Sequence, residues 1–244
     1  MQDKKGYQVY LKQIEALSKI ASLITHGLYL EELLRLVVNV TAEIMNSKIC
    51  SLMLLDPDKK ELVVKATQSI SEEYNKKPNI KLGQGIAGIV AEENKPICVL
   101  DVREEERYLN RDIARKEGLV SLASVPLSVK RRVIGVLNCY TSKKHKFTQH
   151  ELDVLTTLSS QAALAIENAE LDLRARSAEE ALTTRKLIER AKDILSQEAN
   201  ILPSEAYRLI QKQSMDNRKS MREIAEAIIL SKEIREKGPR ELKP

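Results

Sequence analysis

Cysteines, histidines and a glycine-spaced loop are the groups in this 244-residue chain whose types permit nucleophilic, metal or phosphate chemistry. Cys50, Cys98 and Cys139 are odd in number and widely spread, without the close pairs of a zinc site or the even count of a disulfide framework. Each falls within or beside an apolar run, so buried reduced thiols are expected. A thiol reductase would need two sulfurs able to approach to about 2 Å with Cα atoms within about 7 Å, which spacing alone does not establish. His145 and His150 lie in the polar stretch KKHKFTQHE, where solvated side chains are the simplest reading, and iron or haem ligation through these or His26 has no support. Gly83, Gly85 and Gly88 in KLGQGIAGIVAEE could suggest a phosphate cradle, yet no Lys-Ser or Lys-Thr pair follows them. A tight turn feeding a packed helix is the expectation. Neither a catalytic residue nor a metal site is expected, and the chain reads as a protein that is not an enzyme.

The elements that must position these groups follow from composition and periodicity. Hydrophobic residues make up 43% of the chain and charged residues 31%, a balance that excludes disorder throughout. Seven Tyr, one Phe and no Trp leave the core to Leu, Ile, Val, Ala and Met, and only eight Gly favour long helices over an all-β architecture. Forty Lys and Arg against 35 Asp and Glu give a net charge of +5, which permits an anionic partner without naming one. No apolar run has the length of a membrane span or of a signal peptide, so a cytoplasmic protein without a membrane partner is expected.

Helical spacing predicts a first helix over Tyr7–His26 and a second over Leu30–Met45, opened by Glu31 and Glu32 where the helix dipole favours negative charge. The period then changes. Ile49–Leu55 and Leu62–Thr67 flank Asp56-Pro57-Asp58-Lys59-Lys60 and read as a hairpin. A strand over Pro96–Asp101, a charged stretch with a helix ending at Gly118, and strands over Leu119–Val129 and Arg132–Tyr140 joined at Lys130-Arg131 complete an α+β domain.

From Thr148, a helix cap, no Pro or Gly breaker occurs before Pro203, so a helix of about 50 residues is expected, about 75 Å at 1.5 Å per residue. Leu152, Leu155, Ser159, Ala162, Ile166, Ala169 and Leu173 alternate by threes and fours, the pattern of a coiled-coil seam that a parallel homodimer would bury. The pattern lapses at Arg174–Glu180 and resumes one residue out of step at Ala181, Thr184, Ile188, Ala191 and Leu195, which marks an adjustable joint. Ser204 is the expected cap of a short helix, Asp216 and Asn217 of a turn, and a last helix starts at about Ser220.

Residues 12–170 resemble a GAF domain, a small-molecule-binding and dimerisation module of signalling proteins, through the Leu30–Met45 helix, SLMLLD, GQGIAGIVAEENKPICVLDV, SVPLSVKRRVIGVLNCY and KFTQHELDVLTTLSSQAALAIENA. The resemblance implies a central antiparallel sheet with helices on one face and, on the other, a ligand pocket covered by residues from about 70 to 118. The Asn-Lys, Phe, Asp-Glu signature of cyclic-nucleotide-binding members is not matched, since Asn94-Lys95 lies far from Phe147 and Glu151 follows without its Asp. Residues 178–235 are similar to the ANTAR module of transcription antitermination regulators, through ALTTRKLIERAKDIL, SEAYRLIQKQSM and NRKSMREIAEAII. That resemblance implies a three-helix bundle that binds paired hairpins in nascent messenger RNA and prevents terminator formation. Asp193 departs from the family's usual Gly and would weaken a phosphate contact on its face.

The expected architecture is thus a GAF-like sheet with flanking helices, a long coiled-coil helix over 148–198 shared with the output, and a C-terminal three-helix bundle. From Asp172 onward there are 16 basic and 13 acidic residues. Arg185, Lys192, Lys212, Arg218, Lys219 and Arg222 could converge on RNA if the three helices fold back on one another. Tyr207 is the only aromatic beyond Phe147, so phosphates, helix ends and arginine planes must carry recognition in place of base stacking. The partners expected are a two-hairpin RNA, a second copy of the chain and an unidentified small-molecule effector. A DNA-binding regulator with the same sensor, and a GAF-type thiol reductase, are the alternatives.

Overall fold

The computed structural model describes residues 30–69 and 71–237. The helix expected over Tyr7–His26, with His26 itself, lies outside them. Two compact units divide the chain, the first ending at Leu171 and the second starting at Asp172.

In the first unit, α1 (Leu30–Met45) buries Leu33, Leu34, Val37, Val38 and Thr41, one helical face, while Glu31 and Glu32 occupy its first turn. The strands β1 (Ile49–Asp56) and β2 (Glu61–Thr67) pair antiparallel as the expected hairpin. A short helix α2 (Glu72–Asn75), the two-residue strand β3 (Ile80–Lys81), α3 (Gly85–Glu93), β4 (Ile97–Val99) and α4 (Arg111–Glu117) follow. Gly118, left-handed at φ 60°, ends α4 as expected. The hairpin of β5 (Leu122–Val129) and β6 (Arg132–Tyr140) turns through Lys130 and Arg131, both at positive φ, the geometry a two-residue hairpin loop demands. The six strands form one antiparallel sheet in the order β3-β2-β1-β6-β5-β4.

Side chains alternate across this sheet and build two cores. Cys50, Leu52, Leu54, Val125, Leu127 and Leu137 point toward α1 and the start of α5 (Gln149–Ala199). Met53, Leu122, Val136 and Tyr140 point the other way, against Tyr74, Ile86, Val90, Val102 and Leu119 of the segments between β2 and β5. The glycine loop is structural. Gly83 and Gly85 take φ of 75° and 63°, and a Cβ on Gly88 would stand 2.3 Å from the Lys81 carbonyl, so α3 packs on β3 only because no side chain intervenes there.

Thr148 caps α5 through a reciprocal pair of bonds: its hydroxyl accepts from the Glu151 N–H at 3.2 Å, and the Glu151 carboxylate accepts from the Thr148 N–H at 2.7 Å. The helix continues for 51 residues without a break, passing through Arg174–Glu180 as ordinary exposed helix.

The expected seam is corrected here. Leu155, Ser159, Ala162 and Ile166 are completely buried within the first unit, and Leu152 and Ala169 pack against the same core. These residues meet the chain's own sheet, because a sheet with one apolar face uncovered attracts the nearest apolar helix face in the same chain. Of the seam, only Leu173 remains exposed.

In the second unit, the last turns of α5 meet α6 (Pro203–Asn217) and α7 (Met221–Lys237). Ala191 and Ile194 pack with Ile210, Ala225 and Ile229, so small residues let the helices approach closely. Arg190 and Arg235 of this unit bind Glu233 and Glu198 at 3.0 and 2.9 Å. Two expectations change. Leu202 is the N-cap of α6, with Pro203 at the first helical position favoured by its fixed φ, and Ser204 lies inside the helix. Asp216 and Asn217 continue the helix, and the turn falls at Arg218, left-handed at φ 53°.

Candidate functional sites

On the face of the sheet away from α1 and α5, three polar residues stand in register across the central strands. Ser51 on β1 pairs with Asn138 on β6, which pairs with Ser124 on β5, and all three are buried. Polar groups in a buried strand face must be bonded to be tolerated. The Ser124 hydroxyl donates to Asn138 Oδ1 at 2.7 Å, and the buried phenol of Tyr74 donates to Ser51 Oγ at 3.1 Å. Tyr74 and Tyr108 both meet the ring of Tyr140 edge-on, with centroids 6.5 and 6.4 Å apart, and Tyr108 donates to the Tyr140 hydroxyl at 3.2 Å. Burial pushes all three phenols above their ordinary range, so they stay neutral donors.

Beside this group lies a cavity of about 20 Å³, room for one water molecule. Its lining includes Lys77, Tyr108, Asn110, Asn138, Tyr140 and the first turn of α3 at Gly85. The Lys77 ammonium sits 3.3 Å from the centroid of the Tyr74 ring, a cation–π contact. Burial lowers its pKa to about 7, against the opposing pull of Glu117. The family resemblance implied a ligand pocket on this face, covered by residues from about 70 to 118, and named none of these residues. The available signal was the polar interruptions Ser51, Ser124 and Asn138 within apolar strand runs.

The cysteines stand apart from this cavity. Cys50 and Cys139, cross-strand partners with sulfurs 3.0 Å apart, face the α1 and α5 side, and both are buried free thiols as expected. Cys98 is exposed, contrary to expectation, because β4 is an edge strand whose alternate residue points outward. Partial burial and the Glu151 carboxylate push its thiol up to about 11, away from the reactive thiolate. Among the described residues no cluster of His, Cys, Asp and Glu could hold a metal ion, and no helix is long and apolar enough to cross a membrane.

In the second unit, Arg185, Lys212, Arg218 and Lys219 are exposed, and none makes a side-chain ion pair among the described residues. Lys192 and Arg222 are engaged differently. Lys192 binds Glu189 of its own helix and leaves 19% of its side chain exposed, and Arg222 binds Glu226 at 2.9 Å. Arg218 and Lys219 form the turn between α6 and α7, held by the Ser214 hydroxyl donating to the Lys219 carbonyl at 2.6 Å. Ser220 then caps α7 through Glu223. Lys186 and Arg208 are further exposed cations that the sequence reading did not single out. Tyr207 is 43% exposed and alone, so this unit has no platform for stacking successive bases. Asp193 is exposed on α5.

Comparison with known proteins matches residues 28–167 to the GAF domain family and residues 176–229 to the ANTAR domain family. A methyl sulfide methyltransferase-associated sensor of Methanosarcina acetivorans is 30% identical over 174 residues, covering 69% of this chain and 17% of that protein. The Nif-specific regulatory protein of Herbaspirillum seropedicae is 27% identical over 163 residues, 65% of this chain and 29% of that one. The chain therefore spans less than a third of the length of these curated relatives. Among solved structures, the GAF domain of a phosphoenolpyruvate-protein phosphotransferase from Coxiella burnetii superposes with a TM-score of 0.59 at 27% identity, covering 69% of this chain and 98% of that one. The free methionine-R-sulfoxide reductase of Neisseria meningitidis shares the fold at a TM-score of 0.55 and 21% identity, over 66% of this chain and 91% of that one.

Proposed function

This chain belongs to the GAF domain family and carries an ANTAR domain behind its GAF domain, and from that premise we propose that it is a ligand-responsive transcription antiterminator. The observation that carries the reading is the joining of these two family matches in one chain. We take the sensor to occupy residues 12–170, the joining helix 148–198 and the output 178–235. The output binds a two-hairpin RNA in nascent transcripts and prevents the overlapping terminator from forming, and no covalent step is involved.

Arg185, Lys212, Arg218 and Lys219 supply the phosphate contacts in this reading, since an unpaired exposed cation gives up no intramolecular partner when it meets RNA. Lys192 and Arg222 contribute less, each being shared with a glutamate. The sensor acts by population shift: an effector that binds one arrangement of the cavity better than another biases the sheet. The sheet is fastened to α5 by Ser159, whose hydroxyl donates to the Pro126 carbonyl, and by Arg132, which binds Glu167 at 2.6 Å. A second copy of the chain docks on the exposed side of α5 in the sensor unit, where Leu164 and Leu171, seven residues apart, are 43% and 55% exposed. Two outputs in one dimer would engage two hairpins with a steep gain in avidity.

Fluorescence anisotropy with a two-hairpin RNA, a single hairpin and a duplex DNA of equal length tests this. The two-hairpin RNA should bind most tightly, with affinity falling as salt rises. Preference for the duplex DNA would replace the reading with a DNA-binding regulator.

A further inference from the structure

The chemistry of the cavity lining is one-sided. Among the described residues, Lys77 is its single cation and no Asp or Glu lines it. Among the described residues no carboxylate stands within ion-pair reach of the Lys77 ammonium, whose close partner is the neutral face of Tyr74. A mostly buried ammonium whose opposing charge, Glu117, stands beyond ion-pair reach is costly, and burial, outweighing the pull of Glu117, lowers its pKa to about 7. A ligand that brings a negative charge removes it.

Two further features of the same cavity point in the same direction. Gly85, Ile86 and Ala87, the first turn of the nine-residue helix α3, form part of the lining, so the positive end of a helix dipole faces the space. The N-cap residue Gln84 makes no side-chain capping bond, which leaves the first-turn N–H groups without an acceptor from that side chain. The remaining polar lining consists of neutral groups, the amides of Asn110 and Asn138 and the phenols of Tyr108 and Tyr140, which repel no anion. The rest is apolar, with Met53 and Leu122 on the floor of the sheet. The small volume excludes a nucleotide and requires opening even for a few heavy atoms. Leu109, 57% exposed and part of the lining, is the apolar side chain nearest to solvent there.

We propose that this cavity binds a small aliphatic monocarboxylate, its carboxylate held between Lys77 and the first turn of α3 and its short chain lying against Met53 and Leu122. The proposal rests on the reading of the first unit as the effector sensor and names the chemical class of the effector. One charge matches one ammonium, the helix end accommodates the second carboxylate oxygen, and the apolar floor favours a short hydrocarbon chain over a bare inorganic ion.

The test uses the full chain at constant ionic strength, titrated with formate, acetate, propionate and butyrate, and in parallel with phosphate, sulfate and chloride. The chain has no Trp, and Tyr74, Tyr108 and Tyr140 beside the cavity are three of its seven Tyr, so tyrosine fluorescence carries the signal of the ring cluster, and its loss in Lys77→Gln ties the change to the cavity. A saturable change with a carboxylate at a Kd of about 1 mM or below is expected. Lys77→Gln should weaken it about tenfold or more, and Lys77→Arg should retain most of it. Circular dichroism identifies a variant that does not fold, in which case Asn110→Leu, at the lining and outside the strands, provides the second loss-of-binding variant. No saturable response to any carboxylate, a response to phosphate or sulfate alone, or undiminished binding in folded Lys77→Gln would each overturn the proposal. Two-hairpin RNA binding is measured on the same preparation. Its loss with carboxylate binding intact would refute the antiterminator reading only, and its persistence with silent titrations would refute the ligand class only.

Discussion

The hydroxyl of Ser159 donates to the carbonyl of Pro126 at 2.9 Å, fastening the long helix α5 onto strand β5 inside the core. Ser159 belongs to the three-and-four pattern that reads as an intermolecular seam, and here it binds the chain's own sheet. Ser159→Ala would leave the buried Pro126 carbonyl without this donor, and the cost should be about 1–3 kcal/mol of unfolding free energy. Urea denaturation followed by circular dichroism checks it. An unchanged midpoint would show that the hydroxyl is not needed at that carbonyl.

The two sides of α5 should respond oppositely to the same substitution. Leu164→Glu with Leu171→Glu places charges on the exposed side and should give a folded monomer. Leu155→Glu places a charge in the core of the first unit and should prevent folding, while Leu155→Ala should cost about 2–5 kcal/mol. Sedimentation velocity with circular dichroism separates the cases. A persistent dimer in the folded double variant would remove this side of α5 from the interface.

Stability should depend on pH through Lys77. Its folded pKa is lowered from 10.5 to about 7, so between these values the unfolded chain holds the proton that the folded chain releases. Stability therefore rises with pH across that window and is lost as pH falls toward 7. Tyr74, Tyr108 and Tyr140, with raised folded pKa values, work the other way above pH 10, where only the unfolded phenols ionise. Thermal unfolding should thus show a rise from pH 7 toward 10, absent in Lys77→Met. Glu117 is the charged group acting on Lys77, and Glu117→Gln should push the lysine's pKa further down.

The RNA contacts should be unequal. Arg218→Glu should weaken two-hairpin RNA binding and reduce the slope of log affinity against log salt by about 1 or more, leaving the fold intact. Lys192→Glu should act less on RNA and more on the helix, where it would set two glutamates three residues apart. Anisotropy titrations over a range of salt concentrations check both, and equal effects at the two positions would contradict the difference in their ion pairing.

Local signals were legible where one residue type answers one local requirement. Gly118 ends α4 because the left-handed position favours Gly, Thr148 and Glu151 open α5 as a capping pair, and Ser220 with Glu223 opens α7 in the same way. The cap of α6 was misplaced because Ser204 is a better capping type than Leu202. Pro203 decided the matter, since it fits the first helical turn and so moves the boundary one residue earlier. The candidate cavity was legible only as a region. Its residues come from the segment after α2, from α3, from the approach to α4 and from the four strands β1, β3, β5 and β6, and a buried Lys77 carries no sequence mark that distinguishes it from a solvated lysine.

The sequence by itself determined the order of the longer described elements, though not the short helix α2 and the two-residue strand β3, and it determined the two-unit organisation and the family of each unit, because caps, breakers and periodicity are local and each unit's motifs are contiguous. Only the tertiary structure decided what the apolar stripe of α5 packs against and which cations are free. Periodicity states that a helix has an apolar face, but the partner is whichever apolar surface burial brings against it, and the chain's own sheet supplies that surface to Leu155, Ala162 and Ile166. Likewise a lysine's charge is written in the chain, whereas its availability depends on distances such as those joining Arg222 to Glu226 and leaving Arg218 open.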